Sequence, residues 1–192
     1  AAHEGVWLKE ASGAYELRGK TLGIIGYGNI GSQVSVLAES LGMKVIFYDT
    51  ETRLQLGNAE DKKSLRDVVS KSDIVTLHVP ELASTKKLVN KNNLKYFKKG
   101  AILINYARGE VVDLDALRQS LLNGHLSGAA ADVFPWEPEK NGDKFDKIYE
   151  GLSNVLFTPH NVGRTQDEPH THGTEGANHC CTSQEKVTKS RP

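Results

Sequence analysis

The feature that most limits what this chain can become is Gly26-Tyr27-Gly28-Asn29-Ile30-Gly31, a G-x-G-x-x-G pattern between a short apolar run and a helical one. Thr21–Ile25 reads as a buried strand. Ile30, Val34, Leu37, Ala38 and Leu41 then recur at helical spacing until Gly42 stops them. In that position the glycines have separate tasks: one makes a tight turn, one lets backbone approach a pyrophosphate, and one lets helix and strand pack. The helix start adds unpaired N–H groups and a partial positive charge. Gly26, Gly28, Asn29, Ile30 and Gly31 are therefore candidate contacts to a dinucleotide. A second strand over residues 45–48 ends at Asp49, 18 residues beyond Gly31. A carboxylate there can accept from a ribose hydroxyl pair and repels a 2′-phosphate, which favours NAD over NADP. Arg53 lies near enough in sequence to oppose that repulsion.

The alternation of strand and helix continues. Leu65–Val69 fits a helical turn or two, residues 74–79 a third strand closed by Pro80, residues 94–97 a short helical piece, and Ala101–Asn105 a fourth strand. Asp113 reads as an N-cap before Leu114, Leu117, Leu121 and Leu122, with Gly124 just past the end. Residues 129–134 and Val155–Phe157 are further strand candidates. Such alternation predicts an α/β class: a doubly wound parallel sheet with helices on both faces, as in a Rossmann-type nucleotide-binding domain. The expected organisation is a connecting helix and linker over residues 1–20, the dinucleotide-binding domain over 21–165, and a polar tail over 166–192. That tail holds Ala177, Val187, Cys180 and Cys181 as its apolar residues, too few to offset its ordering entropy, so disorder is expected.

Charge excludes some partners. Lys plus Arg and Asp plus Glu both number 24, so no net field favours nucleic acid or an anionic membrane. No apolar run approaches the ~18 residues that span a bilayer, and no signal peptide opens the chain. Two adjacent cysteines make no disulfide framework. His170, His172, His179, Cys180 and Cys181 match no closed metal-site spacing, so no metal is expected. A cytoplasmic location follows from this reading.

The run from Gly23 through Gln33, then Leu37-Ala38-Glu39-Ser40-Leu41-Gly42-Met43, resembles the D-isomer-specific 2-hydroxyacid dehydrogenases. Leu77-His78-Val79-Pro80, Ile104-Asn105-Tyr106-Ala107-Arg108-Gly109, Ala131-Asp132-Val133-Phe134 and Thr158-Pro159-His160 are similar to further motifs of that family, in the same order. The resemblance implies NAD-dependent oxidation of a D-2-hydroxyacid, and the branch most similar to this chain acts on 3-phospho-D-glycerate. It implies Arg108, Glu137 and His160 as the catalytic trio. Hydride transfer leaves an alkoxide in need of a proton, or in reverse needs a base, and imidazole titrates near neutrality. A carboxylate beside the ring stabilises an imidazolium and fixes its orientation. Arg108 would grip the substrate carboxylate with a forked pair of hydrogen bonds.

The same resemblance places Asp49 on the adenosine ribose, His78, Val79 and Pro80 along the adenine side, and Tyr106, Ala107 and Asp132 toward the nicotinamide half, with Arg108, His160 and Gly163 as further cofactor-binding candidates. It also implies a homodimer formed through the cofactor domain. A second reading is an NAD-sensing module, without catalysis, that controls dimerisation as in corepressor relatives. Two departures stand out. Asn161-Val162-Gly163-Arg164 replaces the family's Ile-Gly-Gly-Ser, and the expected return helix after Thr165 is missing. The family's substrate domain comes from segments on either side of the cofactor domain, so this chain alone is expected to turn over little substrate.

Overall fold

Apolar residues dominate strand segments such as Thr21–Ile25 and Ile74–Leu77, and strands of that kind need apolar cover on both faces. The computed structural model describes residues 2–11, 13–138, 140, 142–145, 149–161 and 163. The chain divides into two compact units, Ala1–His160 and Asn161–Pro192, and the sheet and helices belong to the first. The readings on Val162, on Arg164 and Thr165, and on the 166–192 tail with its histidines and cysteines lie outside the described residues.

Seven strands form one parallel sheet in the order β3-β2-β1-β4-β5-β6-β7. They are β1 (Thr21–Ile25), β2 (Lys44–Tyr48), β3 (Glu60–Asp61), β4 (Ile74–Leu77), β5 (Ala101–Asn105), β6 (Leu126–Ala131) and β7 (Val155–Phe157). The helices are α1 (Asn29–Ser40), α2 (Leu65–Val69), α3 (Lys91–Leu94) and α4 (Leu114–Leu122). The chain builds outward from β1 to β3, then crosses back to lay β4 on the other side of β1. That reversal is the topological switch point of a doubly wound sheet, where crevices form beyond the strand ends.

Alternate side chains sort to opposite faces. Leu22, Ile24, Val45 and Phe47 join Ala38 of α1 and Tyr27 in one core cluster. Ile25, Ile46, Val75, Leu77 and Leu103 join Val68 and Val69 of α2 and Leu117 and Leu121 of α4 in the other. Gly23 permits the second packing, because a Cβ there would run into Ser72 and Val68. The stripe that signalled α1 in the sequence is only partly what the helix buries: Ala38 is buried and Val34 packs against the core. The helix packs through Gly31, Ser35 and Ala38, and Ile30, Leu37 and Leu41 stay exposed.

Several boundaries differ from the sequence reading. β4 stops at Leu77, so His78 and Val79 lie in a loop. The connecting helix expected within residues 1–20 is a short 3₁₀ turn, Ala2–Glu4, among the described residues. β3 is two exposed acidic residues, which carry no strand signal. β6 starts at Leu126 and stops at Ala131, so Asp132 to Phe134 lie in a loop. The short helix α3 begins earlier, because Asn90 and Asn93 form a reciprocal cap that fixes its start.

At the opposite end of the sheet, Asp73 ties β1 to the entry of β5. Its carboxylate accepts from the Thr21 N–H at 2.8 Å and from Lys98 Nζ at 2.5 Å. Burial alone would raise its pKa, but the Lys98 hydrogen bond and the Thr21 N–H outweigh it and hold the carboxyl below 3.8. A depressed folded-state value means stability that is full above the unfolded value and lost as pH falls through the folded one. Asp73→Asn is therefore expected to lower the melting temperature at pH 7. It should also flatten the loss of stability between about pH 5 and pH 2, measured by thermal melts across that range.

Candidate active site

The parallel ladders bring the last residues of six strands into one row: Tyr48, Ile25, Leu77, Asn105, Ala131 and Phe157. The next residue of each strand is Asp49, Gly26, His78, Tyr106, Asp132 or Thr158. The predicted site residues of the first unit thus gather along one edge of the sheet. Gly163 falls in the second unit.

On the β1 side the glycine turn is held tightly. Gly26 has φ +90°, and a Cβ there would meet the His78 carbonyl oxygen at 2.5 Å and Val79 Cγ1 at 2.9 Å. A Cβ on Gly31 would collide with the Gly26 carbonyl, whereas one on Gly28 would meet nothing within 4 Å. Gly28 therefore faces open space at the start of α1. That helix has no acidic residue in its first turn and no side-chain cap, whereas α2, α3 and α4 are capped by Ser64, Asn90 and Asp113. Its first N–H groups suit a pyrophosphate. Tyr27 points the other way. Its ring stacks on Phe47 at 3.7 Å, and its hydroxyl donates to Ser35 Oγ at 2.6 Å while Ser35 donates to the Ser32 carbonyl at 2.7 Å.

Asp49 Oδ2 accepts from the Tyr27 N–H at 2.7 Å and Oδ1 from the Glu51 N–H at 2.9 Å. Arg53 Nε sits 3.4 Å from Oδ1. The carboxylate is thus fixed beside the turn, with lone pairs left for a ribose hydroxyl pair. His78 contributes backbone to this corner: its N–H continues the ladder to the Ile25 carbonyl at 2.8 Å, and its carbonyl packs on Gly26. Its imidazole bonds the Thr76 hydroxyl at 3.1 Å, and burial pushes its pKa below the ordinary imidazole value. Val79 is half-buried and Pro80 exposed.

On the β5–β7 side, Asn105 folds back under the turn that follows it. Its Oδ1 accepts from the Ala107 N–H at 3.1 Å and its Nδ2 donates to the Arg108 carbonyl at 3.0 Å. Ala107 is buried, whereas Tyr106 and Arg108 are exposed. Arg108 Nη1 donates to the Ala107 carbonyl at 2.8 Å, which leaves other N–H groups of the fork for a ligand. Gly109 is pressed against the backbone of Phe134 and Pro135, so the Arg108 turn and the Glu137 loop touch. Glu137 Oε1 accepts from the Phe134 N–H at 3.0 Å, and Oε2 accepts from His160 Nδ1–H at 2.7 Å. His160 has φ +48°, a left-handed backbone that costs a non-glycine residue about 1–3 kcal/mol. With Nδ1 engaged, Nε2 is the nitrogen able to exchange a proton. Asp132 is buried and takes the Thr158 hydroxyl on Oδ1 at 2.5 Å.

Three contributors stood in the quoted motifs but received no role in the sequence reading: Asn105, Gly109 and Thr158. Asn105 did leave a trace, a polar residue ending an otherwise apolar strand.

The comparisons bear directly on this edge. Residues 1–162 match the family model described as D-isomer specific 2-hydroxyacid dehydrogenase, NAD binding domain. The chain belongs to that family. It is 54% identical over 175 residues to D-3-phosphoglycerate dehydrogenase of Haemophilus influenzae, covering 91% of this chain and 43% of the relative. The enzyme of the same name from Escherichia coli is 52% identical over 176 residues, covering 92% and 43%. Among solved structures, D-lactate dehydrogenase with NAD+ from Lactobacillus jensenii superposes with a TM-score of 0.74 at 32% identity, covering 85% of this chain and 52% of that one. The chain thus spans less than half the length of the curated relatives it matches, and that span is an NAD-binding domain.

Gly31→Ala tests the turn. The added methyl must displace the Gly26 carbonyl, so NADH affinity is expected to fall at least about tenfold, or ~1.4 kcal/mol, by calorimetric titration of the folded variant.

Proposed function

We propose that this domain serves NAD-dependent oxidation of a D-2-hydroxyacid, 3-phospho-D-glycerate above others, to the corresponding 2-oxoacid in serine biosynthesis. The observation that carries this reading is the His160–Glu137 pair at 2.7 Å, with the second Glu137 oxygen held by the Phe134 N–H. An imidazole oriented by a fixed carboxylate is the arrangement that proton exchange with a hydroxyl requires. The identities to two D-3-phosphoglycerate dehydrogenases, 54% and 52%, support the substrate.

Gly26, Gly28, Asn29, Ile30 and Gly31 would hold the pyrophosphate and Asp49 the adenosine ribose. His78, Val79 and Pro80 would flank the adenine half, and Tyr106, Ala107 and Asp132 the nicotinamide half. Bound NAD supplies the hydride acceptor. Arg108 grips the substrate carboxylate through its guanidinium fork, which fixes the reacting carbon in place. His160 Nε2 takes the hydroxyl proton as the carbonyl forms, and Glu137 keeps the ring in register and stabilises its charged form.

The partner in solution is a second copy of the chain. Trp7 and Tyr15, 86% and 84% exposed, stand with Leu8 and the outer stripe of α1 as apolar surface that a monomer leaves wet. Among the described residues no helix is long and apolar enough to cross a membrane, and we place the protein in the cytoplasm.

Two measurements test this reading. The chain is expected to bind NADH in preference to NADPH, and Asp49→Ala to weaken NADH by ~1–3 kcal/mol through loss of a charged hydrogen bond. Equal affinity for the two cofactors would refute the role of Asp49. For the chemistry, residues 1–160 are substituted for the matching segment of the Haemophilus influenzae enzyme. In that chimera His160→Ala is expected to cut turnover ~10²–10⁴-fold. Glu137→Gln is expected to lower turnover at least about tenfold, because an amide holds the His160 Nδ1–H less firmly than a carboxylate does. Unchanged turnover would remove Glu137 from the mechanism.

A further inference from the structure

Asn105 is 4% exposed, closes β5, and spends both ends of its side chain on the turn that follows. Its backbone carbonyl also accepts from the Asp132 N–H at 3.2 Å. One residue therefore joins the Tyr106–Arg108 turn from below to the start of the Asp132 loop alongside. The far end of the turn is closed by Gly109 against Phe134 and Pro135, in the segment whose Phe134 N–H anchors Glu137.

We infer that Asn105 is a positioning residue that sets the Tyr106–Arg108 turn against the reacting end of the cofactor. The inference rests on the proposed placement of that turn at the nicotinamide half. The amide is needed as an amide: one end must accept from Ala107 and the other must donate to Arg108. A carboxylate of nearly the same shape can accept from Ala107. It turns an oxygen, however, toward the Arg108 carbonyl, where two acceptors would face each other. The turn then has to open to separate them. Buried polar groups tolerate such a mismatch poorly, because no water is at hand to take the lost partner's place.

This role predicts an effect on one half of the cofactor. The adenosine half would be held by the Gly26–Gly31 turn and Asp49, on the β1 and β2 ends, whereas Asn105 bonds to Ala107 and Arg108. The experiment titrates the 192-residue chain and its Asn105→Asp variant with NADH and with ADP-ribose, which lacks the nicotinamide. NADH affinity is expected to fall about tenfold, the usual scale for a lost buried hydrogen bond, while ADP-ribose affinity stays within about twofold. Equal losses for both ligands, or no loss for either, would overturn the inference. Failure of the unaltered chain to bind either ligand would instead bring down the cofactor reading and this inference with it. Amide hydrogen exchange on the unaltered chain gives a check that needs no variant. The Ala107 N–H should exchange as slowly as the amides inside β5, and exchange as fast as that of the exposed loop around Arg53 would also overturn the inference.

Discussion

The register of the parallel strands is the constraint on which the rest depends. Each ladder fixes its neighbour to the residue, and together they set Tyr48, Ile25, Leu77, Asn105, Ala131 and Phe157 side by side. Because side chains alternate along a strand, a slip of one residue would exchange the two apolar clusters as well as shift a site residue. Packing on both faces therefore guards the alignment at the edge. The site inherits its accuracy from the core, and residues far apart in sequence need no direct link to meet.

Past that row, side chains continue what the backbone ladder begins. Asp49 takes the Tyr27 N–H, Asn105 brackets Ala107 and Arg108, and Asp132 takes the Thr158 hydroxyl two residues before His160. Each is a polar residue at the end of an apolar strand, held where burial makes an unmet hydrogen bond expensive. Glu137 differs in kind, since it lies in a loop and depends on the Phe134 N–H and the seating of Gly109 to stay beside His160.

The architecture was legible from the sequence because its signals are local. The glycine turn, the strand-length apolar runs and the Asp113 cap each follow from a handful of neighbouring residues. Asp49 and the three glycines could be placed for the same reason. The rest of the site needed the fold. That Asn105 bonds forward to Arg108, that Gly109 makes room for Phe134, and that Thr158 meets Asp132 are facts about residues brought together by register, and spacing carries no trace of most of them. The α1 stripe shows the converse. Its helical period was real, but of the residues it marked only Val34 and Ala38 face the core, beside the small Gly31 and Ser35, while Ile30, Leu37 and Leu41 are exposed.

Tyr27 has one more consequence. Glycine-rich segments usually surrender much conformational freedom when they take hold of a ligand. Here the residue between the first two glycines is sunk into the core against Phe47 and bolted to Ser35, so the turn already has its working shape before anything arrives. A segment held in one shape has less ordering entropy to lose when it takes up a ligand.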